Sequence, residues 1–118
     1  MQTNTEKYCE RKEDCLMVHV PQELDHHEAS QMREETDRII DAYHVRQLVF
    51  DFSRTEFMDS SGIGVIIGRC RMMGYYGGEV FAQNLNDRLQ KIFTVSGLHA
   101  LVQIKQPEME KTQKGNER

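Results

Sequence analysis

The hydrophobic period switches repeatedly along residues 1–105, and each switch marks an element. Cys15–Val20 (CLMVHV) is a short apolar run rich in strand formers that stops at Pro21. Tyr8–Arg11 is placed to pair with it across a charged turn, Lys12–Asp14. Asp25 is a good N-cap for a polar segment, His26–Tyr43, whose apolar members Ala29, Met32, Ile39, Ile40 and Tyr43 share one helical face. Leu48–Phe52 (LVFDF) is dense enough in apolar residues for a central strand. Asp59–Met73 reads as a helix opened by Asp59-Ser60-Ser61, with Ile63, Ile66, Ile67 and Cys70 as its stripe. Gly64 and Gly68 lie one turn apart there, which suggests a close approach to a sheet. Gly77-Gly78 is a turn before a strand, Glu79–Ala82. Asn86 caps a helix over Asp87–Phe93, Val95-Ser96-Gly97-Leu98 breaks it, and Leu101–Lys105 is a last strand. The order β-β-α-β-α-β-α-β predicts an α/β layer structure with a parallel or mixed sheet.

The remaining segment, Gln106–Arg118, changes the picture little. It is polar, and its three acidic residues (Glu108, Glu110, Glu117) cancel its three basic ones (Lys111, Lys114, Arg118). Such a composition buries no apolar surface, so residues 1–105 are expected to form one domain and 106–118 a disordered tail. The net charge of −4 therefore belongs to the domain. A protein that held nucleic acid by neutralising phosphates would be basic, so nucleic acid is a poor partner. No apolar run approaches the ~18 residues of a membrane span, and the first stretch, MQTNTEKYCERKED, is too polar for a signal peptide. The expected setting is cytoplasmic. Cys9, Cys15 and Cys70 form no CxxC pair and suggest reduced thiols, although Cys9 and Cys15 could face each other across the hairpin.

Candidate chemistry concentrates in Phe57-Met58-Asp59-Ser60-Ser61-Gly62-Ile63-Gly64, where a strand gives way to a helix. Function gathers at the carboxyl ends of strands in open α/β sheets, and a helix N-terminus offers free N–H groups and a positive dipole end. A phosphoryl group on Ser60 would add roughly −1.5 to −2 charges there and leave the helix intact. The plain alternative is that Asp and Ser merely cap. Gly62, Gly64 and Gly68 give GxGxxxG, which misses the dinucleotide spacing, and neither a Walker-type Gly-Lys-Ser/Thr nor a GxSxG elbow is present. His19, His26, His27, His44 and His99 lack a context that marks a catalytic base. Adjacent His26 and His27 diverge by about 100° around a helix, so no metal is expected there. Arg69-Cys70-Arg71 and Lys91 read as a solvated face.

Glu23-Leu24-Asp25-His26-His27, the Phe57–Arg69 block, Gly77-Gly78-Glu79 and Phe93 with Ser96-Gly97-Leu98 together resemble the STAS-domain anti-sigma factor antagonists. The resemblance spans roughly residues 8–105, and ELDHH with FMDSSG sides with the sporulation (anti-sigma F) type over the general stress type. It implies a mixed sheet of four to five strands with helices mainly on one side. It also implies a binding protein, not an enzyme, with no cofactor and monomeric when free. Such antagonists capture an anti-sigma factor that is also a serine kinase, which frees the sigma factor. The kinase then inactivates the antagonist by phosphorylating a serine, and a PP2C-type phosphatase restores it. The acceptor is the serine directly after Asp in D-S-S-G, here Ser60. Asp25, Asp59, Ser61 and Gly62 are assigned to the partner-binding surface, with Gly62 and Gly64 keeping the loop open. Pro21-Gln22 replaces the Thr-Gly that often precedes Glu-Leu-Asp in the family. A STAS antagonist for a general stress sigma factor is the first alternative, and a small serine hydrolase using Ser60 the second.

Overall fold

The computed structural model describes residues 6–105; the expected tail lies outside the described residues. Five strands form the main sheet: β1 (Cys9–Lys12), β2 (Cys15–His19), β4 (Gln47–Asp51), β6 (Glu79–Gln83) and β7 (Gln103–Lys105). Two short strands, β3 (Glu23–Leu24) and β5 (Phe57–Met58), make a second sheet of their own. The helices are α1 (His26–Tyr43), α2 (Ser60–Tyr75) and α3 (Asp87–Ser96), with a 3₁₀ turn at Leu98–Ala100.

The main sheet runs β1-β2-β4-β6-β7. Only the β1–β2 hairpin is antiparallel; the other three pairs are parallel. Each parallel step is crossed by one helix and moves one place in the same direction. Right-handed crossovers of that kind put all three helices on one face. The registers Leu16↔Leu48↔Val80 and Val18↔Phe50↔Ala82 form that face, and all six side chains are buried. Phe52 and Phe93 meet edge to face at 5.5 Å and join the sheet to α3, a geometry worth about 0.5–1.5 kcal/mol beyond burial.

Several sequence expectations change here. β3 and β5 were not foreseen, because two residues are too few to show a period. Tyr43 is half exposed instead of facing the core, and the Arg11 guanidinium stacks on its ring at 3.8 Å. Cys9 pairs with Val18 and Cys15 with Lys12. The two cysteines thus point to opposite faces of the hairpin and cannot bridge. Arg69 is not solvated: it is buried, with Nη1 at 2.8 Å from Asp37 Oδ1 and donating to the Arg33 carbonyl at 3.3 Å. Burial works against its charge, while Asp37 supports it. Gly64 and Gly68 do not approach the sheet, since a Cβ at either would meet nothing within 4 Å. The helix ends at Tyr75 and Ser96 run past the predicted Met73 and Phe93, and the last strand shortens to Gln103–Lys105.

The buried Glu35 on α1 fixes the start of the domain. Its carboxylate accepts the backbone N–H groups of Lys7, Tyr8 and Cys9, each at 2.9 Å. A charged acceptor with three donors leaves no orphan at the entry to β1. Tyr8 adds a bond from its hydroxyl to the Glu28 carboxylate. None of the described helices is long and apolar enough to cross a membrane.

On the sheet face away from the helices, His19, Asp51, Gln83 and Lys105 lie in one row across four strands. Asp51 is buried, which opposes its charge. Hydrogen bonds from Asn84 (2.7 Å), Ser53 (3.0 Å) and Gln83 (3.5 Å), together with His19 at 3.4 Å, overcome that and hold its carboxyl below the usual carboxylate range. A depressed folded-state pKa contributes stability that is present above the unfolded value of 3.8 and lost as pH falls through the folded value. Urea denaturation of wild type and Asp51→Asn will therefore show wild type ahead at pH 7, with the gap closing below about pH 4. A gap of constant size across that range would mean that the charge of Asp51 is not what stabilises.

Candidate functional site

Two Asp residues begin the two long helices in the same way. Asp25 caps α1 with φ −91° and ψ −173°, and its Oδ1 accepts the Glu28 N–H at 2.9 Å. Asp59 caps α2 with φ −97° and ψ −173°, and its Oδ1 accepts from Ser61 N (2.9 Å) and Gly62 N (3.2 Å). Such caps are worth about 1 kcal/mol each. What brings them together is β3–β5. Glu23 pairs with Phe57 and Leu24 with Met58, in parallel. Asp25 and Asp59 are the next residues on each strand, and the Asp59 N–H donates to the Leu24 carbonyl at 3.3 Å. The small sheet thus sets two helix N-termini side by side, so their positive dipole ends open onto one surface.

Ser60 is the first residue of α2 and is exposed. Ser61 is half-buried, and its hydroxyl lies 3.2 Å from His26 Nδ1, so the first turn of α1 touches the first turn of α2. Asp25 and Asp59 are half-buried, their carboxylates turned to backbone N–H groups. Gly62 differs from the other residues expected at the partner surface: it is buried. A Cβ there would stand 2.8 Å from Leu24 Cδ2 and Met58 Cγ. Its place is therefore to let α2 close against β3 and β5, not to meet a partner. Phe57, half exposed on β5, adds an apolar side chain beside Ser60 that sequence reasoning did not assign. A signal for the paired caps was present in the chain. Glu23-Leu24-Asp25 and Phe57-Met58-Asp59 share the order exposed residue, buried apolar residue, Asp, then a helix.

This surface holds no assembled acid–base machinery. The one histidine at the loop, His26, lies against Ser61 rather than Ser60 and is exposed. Among the described residues, no group of three or more His, Cys, Asp or Glu side chains is placed to hold a metal ion. An exposed serine at a helix N-terminus, within a surface built by backbone capping, is suited to being bound and modified by another protein.

A small α/β domain of this topology, with a capped serine loop at paired helix starts, is a STAS domain; the chain belongs to that family, whose profile matches residues 7–111. Among relatives, it is 34% identical over 89 residues to the anti-sigma F factor antagonist of Paenibacillus polymyxa, covering 75% of this chain and 76% of that one. It is 30% identical over 104 residues to the anti-sigma-B factor antagonist of Listeria monocytogenes, covering 86% and 88%. The fold matches the anti-sigma factor antagonist SpoIIAA in its unphosphorylated form at 28% identity, with TM-score 0.76 over 92% of this chain and 94% of that one. SpoIIAA in the phosphorylated form matches at 29% identity, with TM-score 0.70 over 90% and 96%.

The opposed glycines make a local test. Gly62→Ala drives a Cβ into Leu24 and Met58 and is expected to cost about 1–3 kcal/mol. Gly64→Ala meets open space and is expected to be neutral or to stabilise by up to about 1 kcal/mol through helix propensity. Chemical denaturation of the two variants checks this, and equal midpoints would overturn the inward placement of Gly62.

Proposed function

We propose that this chain is an anti-sigma factor antagonist controlled by phosphorylation of Ser60. The unmodified form binds an anti-sigma factor that is also a serine kinase and releases a sporulation sigma factor. Phosphorylation by that kinase ends binding, and a PP2C-type phosphatase restores it. The observation that carries this reading is the exposed position of Ser60 at the first turn of α2, beside a second capped helix start. The similarity to antagonists of both the F and B types supports the class. ELDHH and FMDSSG favour the sporulation branch.

Asp25 and Ser61 flank Ser60 on the proposed contact surface, and Asp59 holds the loop from behind. A phosphate on Ser60 gains from the helix dipole, so the free protein keeps its fold. In the complex the same dianion would be buried against a surface shaped for a hydroxyl. Desolvating such a charge without a new basic partner is costly enough to eject the partner. Switching is therefore a property of the interface, not of a refolded domain.

The test is incubation with ATP, Mg²⁺ and the cognate anti-sigma factor, followed by phosphopeptide mass spectrometry. One phosphate on Ser60, absent in Ser60→Ala, is expected. Ser60→Asp is expected to weaken anti-sigma binding at least ten-fold while its circular dichroism spectrum stays that of wild type. Collapse of that spectrum, or phosphate on Ser61 instead, would sink the switch as stated. The hydrolase reading would be revived only by ester turnover by the lone domain that Ser60→Ala abolishes.

A further inference from the structure

A groove of about 320 Å³ runs between α1 and α2, away from the sheet. Its floor is small: Ala29 from α1, and Gly64, Val65 and Gly68 from α2. Neither Gly64 nor Gly68 has anything within 4 Å of a Cβ position, so the channel is open along its length. Arg33 and Arg69 also line it, and no Asp or Glu does, although the domain as a whole is acidic. One carboxylate lies just behind the lining: Asp37, whose Oδ1 is 2.8 Å from Arg69 Nη1.

Arg69 is the informative residue. It is 93% buried by residue area, with 7% exposed, and its Nε has no hydrogen-bond partner. A buried, unsatisfied guanidinium donor costs free energy, roughly 1–3 kcal/mol and more when charged, unless a ligand supplies the acceptor. Asp37 and the Arg33 carbonyl both approach Nη1. The other edge of the guanidinium, formed by Nε and Nη2, is the one a carboxylate takes with two parallel bonds.

We infer that this groove receives an α-helix of the bound partner, and that the helix presents an Asp or Glu to the Nε edge of Arg69. The inference rests on the proposed function for the identity of the partner. Three observations select the occupant. The channel lies between two helices and lacks side chains at i and i+4 on α2, so a third helix can pack its ridge closely. Its only unmet donor is cationic and asks for an anionic acceptor. The groove begins at His26 and Ser61, so it continues the surface around Ser60 rather than forming a remote one. A helix seated there would cross the first turn of α2, where the added phosphate would stand.

Calorimetric titration with the purified cognate anti-sigma factor tests this with two variants. Gly68→Met fills the channel with a good helix former where nothing now sits, so the fold is retained and binding is expected to weaken at least ten-fold. Arg69→Lys keeps a charge beside Asp37 but removes the Nε edge, and is expected to weaken binding five-fold or more. One Asp→Asn or Glu→Gln change in the partner must weaken wild-type binding and have no further effect on Arg69→Lys. If wild type binds and Gly68→Met binds equally well, the groove is empty in the complex and the inference falls, while the proposed function stands. If Gly68→Met is impaired but no partner carboxylate couples to Arg69, the acidic helix is wrong. Failure of wild type to bind the anti-sigma factor at all removes both readings. Should Arg69→Lys not fold, Gly68→Met decides the groove by itself.

Discussion

The pairing of Leu24 with Met58 holds together everything that makes this surface usable. β3 and β5 are two residues each, and their contact buries little area by itself. Yet it sets the register of two helix starts that lie 34 residues apart in the chain, Asp25 and Asp59. A slip of one residue in so short a ladder would turn Met58 outward and Phe57 inward. It would also break the alignment of the caps. Gly62 is the condition for that pairing, because α2 must come within van der Waals contact of Leu24 and Met58 directly after its first turn. Backbone capping at both Asp residues then finishes the helix ends without using the serine hydroxyls.

That division of labour explains how a modification site can sit in a structured loop. Asp59 meets the N–H groups of Ser61 and Gly62, and His26 lies at the Ser61 hydroxyl. Ser60 is left at the surface as the first residue of α2. A charge added there meets a favourable dipole, so its effect falls on whatever docks rather than on the domain. The anchors of the fold lie elsewhere: Glu35 on the entry to β1, Arg69 with Asp37 between the helices, and Asp51 on the far face of the sheet.

The long elements were legible in the chain because each spans enough residues to show a period. Ala29, Met32, Ile39 and Ile40 mark the buried side of α1, and the apolar LVFD run marks the centre of the sheet. Ser60 was legible from local chemistry, as a serine behind an N-capping Asp. What lay beyond reach depended on contacts distant in sequence. The β3–β5 pair has no period to read. Arg69 looks like any surface arginine until Asp37, 32 residues earlier, is brought against it. Tyr43 fits the apolar stripe by spacing, but it sits at the end of α1, where Arg11 from the hairpin covers one side of its ring and water the other. Gly64 and Gly68 show the same limit, since spacing places them one turn apart but does not say which neighbour they face.

The glycines of α2 bring these threads to one point. Four of its sixteen residues are glycine, at 62, 64, 68 and 74. Each interior glycine costs a helix about 0.5–1 kcal/mol relative to alanine, so α2 is a poor helix by propensity alone. Packing of Val65, Ile66 and Met73 against the sheet holds it, together with the Asp59 cap. For Gly62 the cost has a reason inside the domain, because no larger side chain fits against Leu24 and Met58. For Gly64 and Gly68 the domain supplies none, as a side chain at either would point into open space. A weakness that the fold does not require, lined up beside a buried guanidinium with an unmet donor, is explained most simply by something that packs there from outside. The same helix then carries both halves of a partner's footprint: a serine at its start that can be altered, and a channel along its length that cannot.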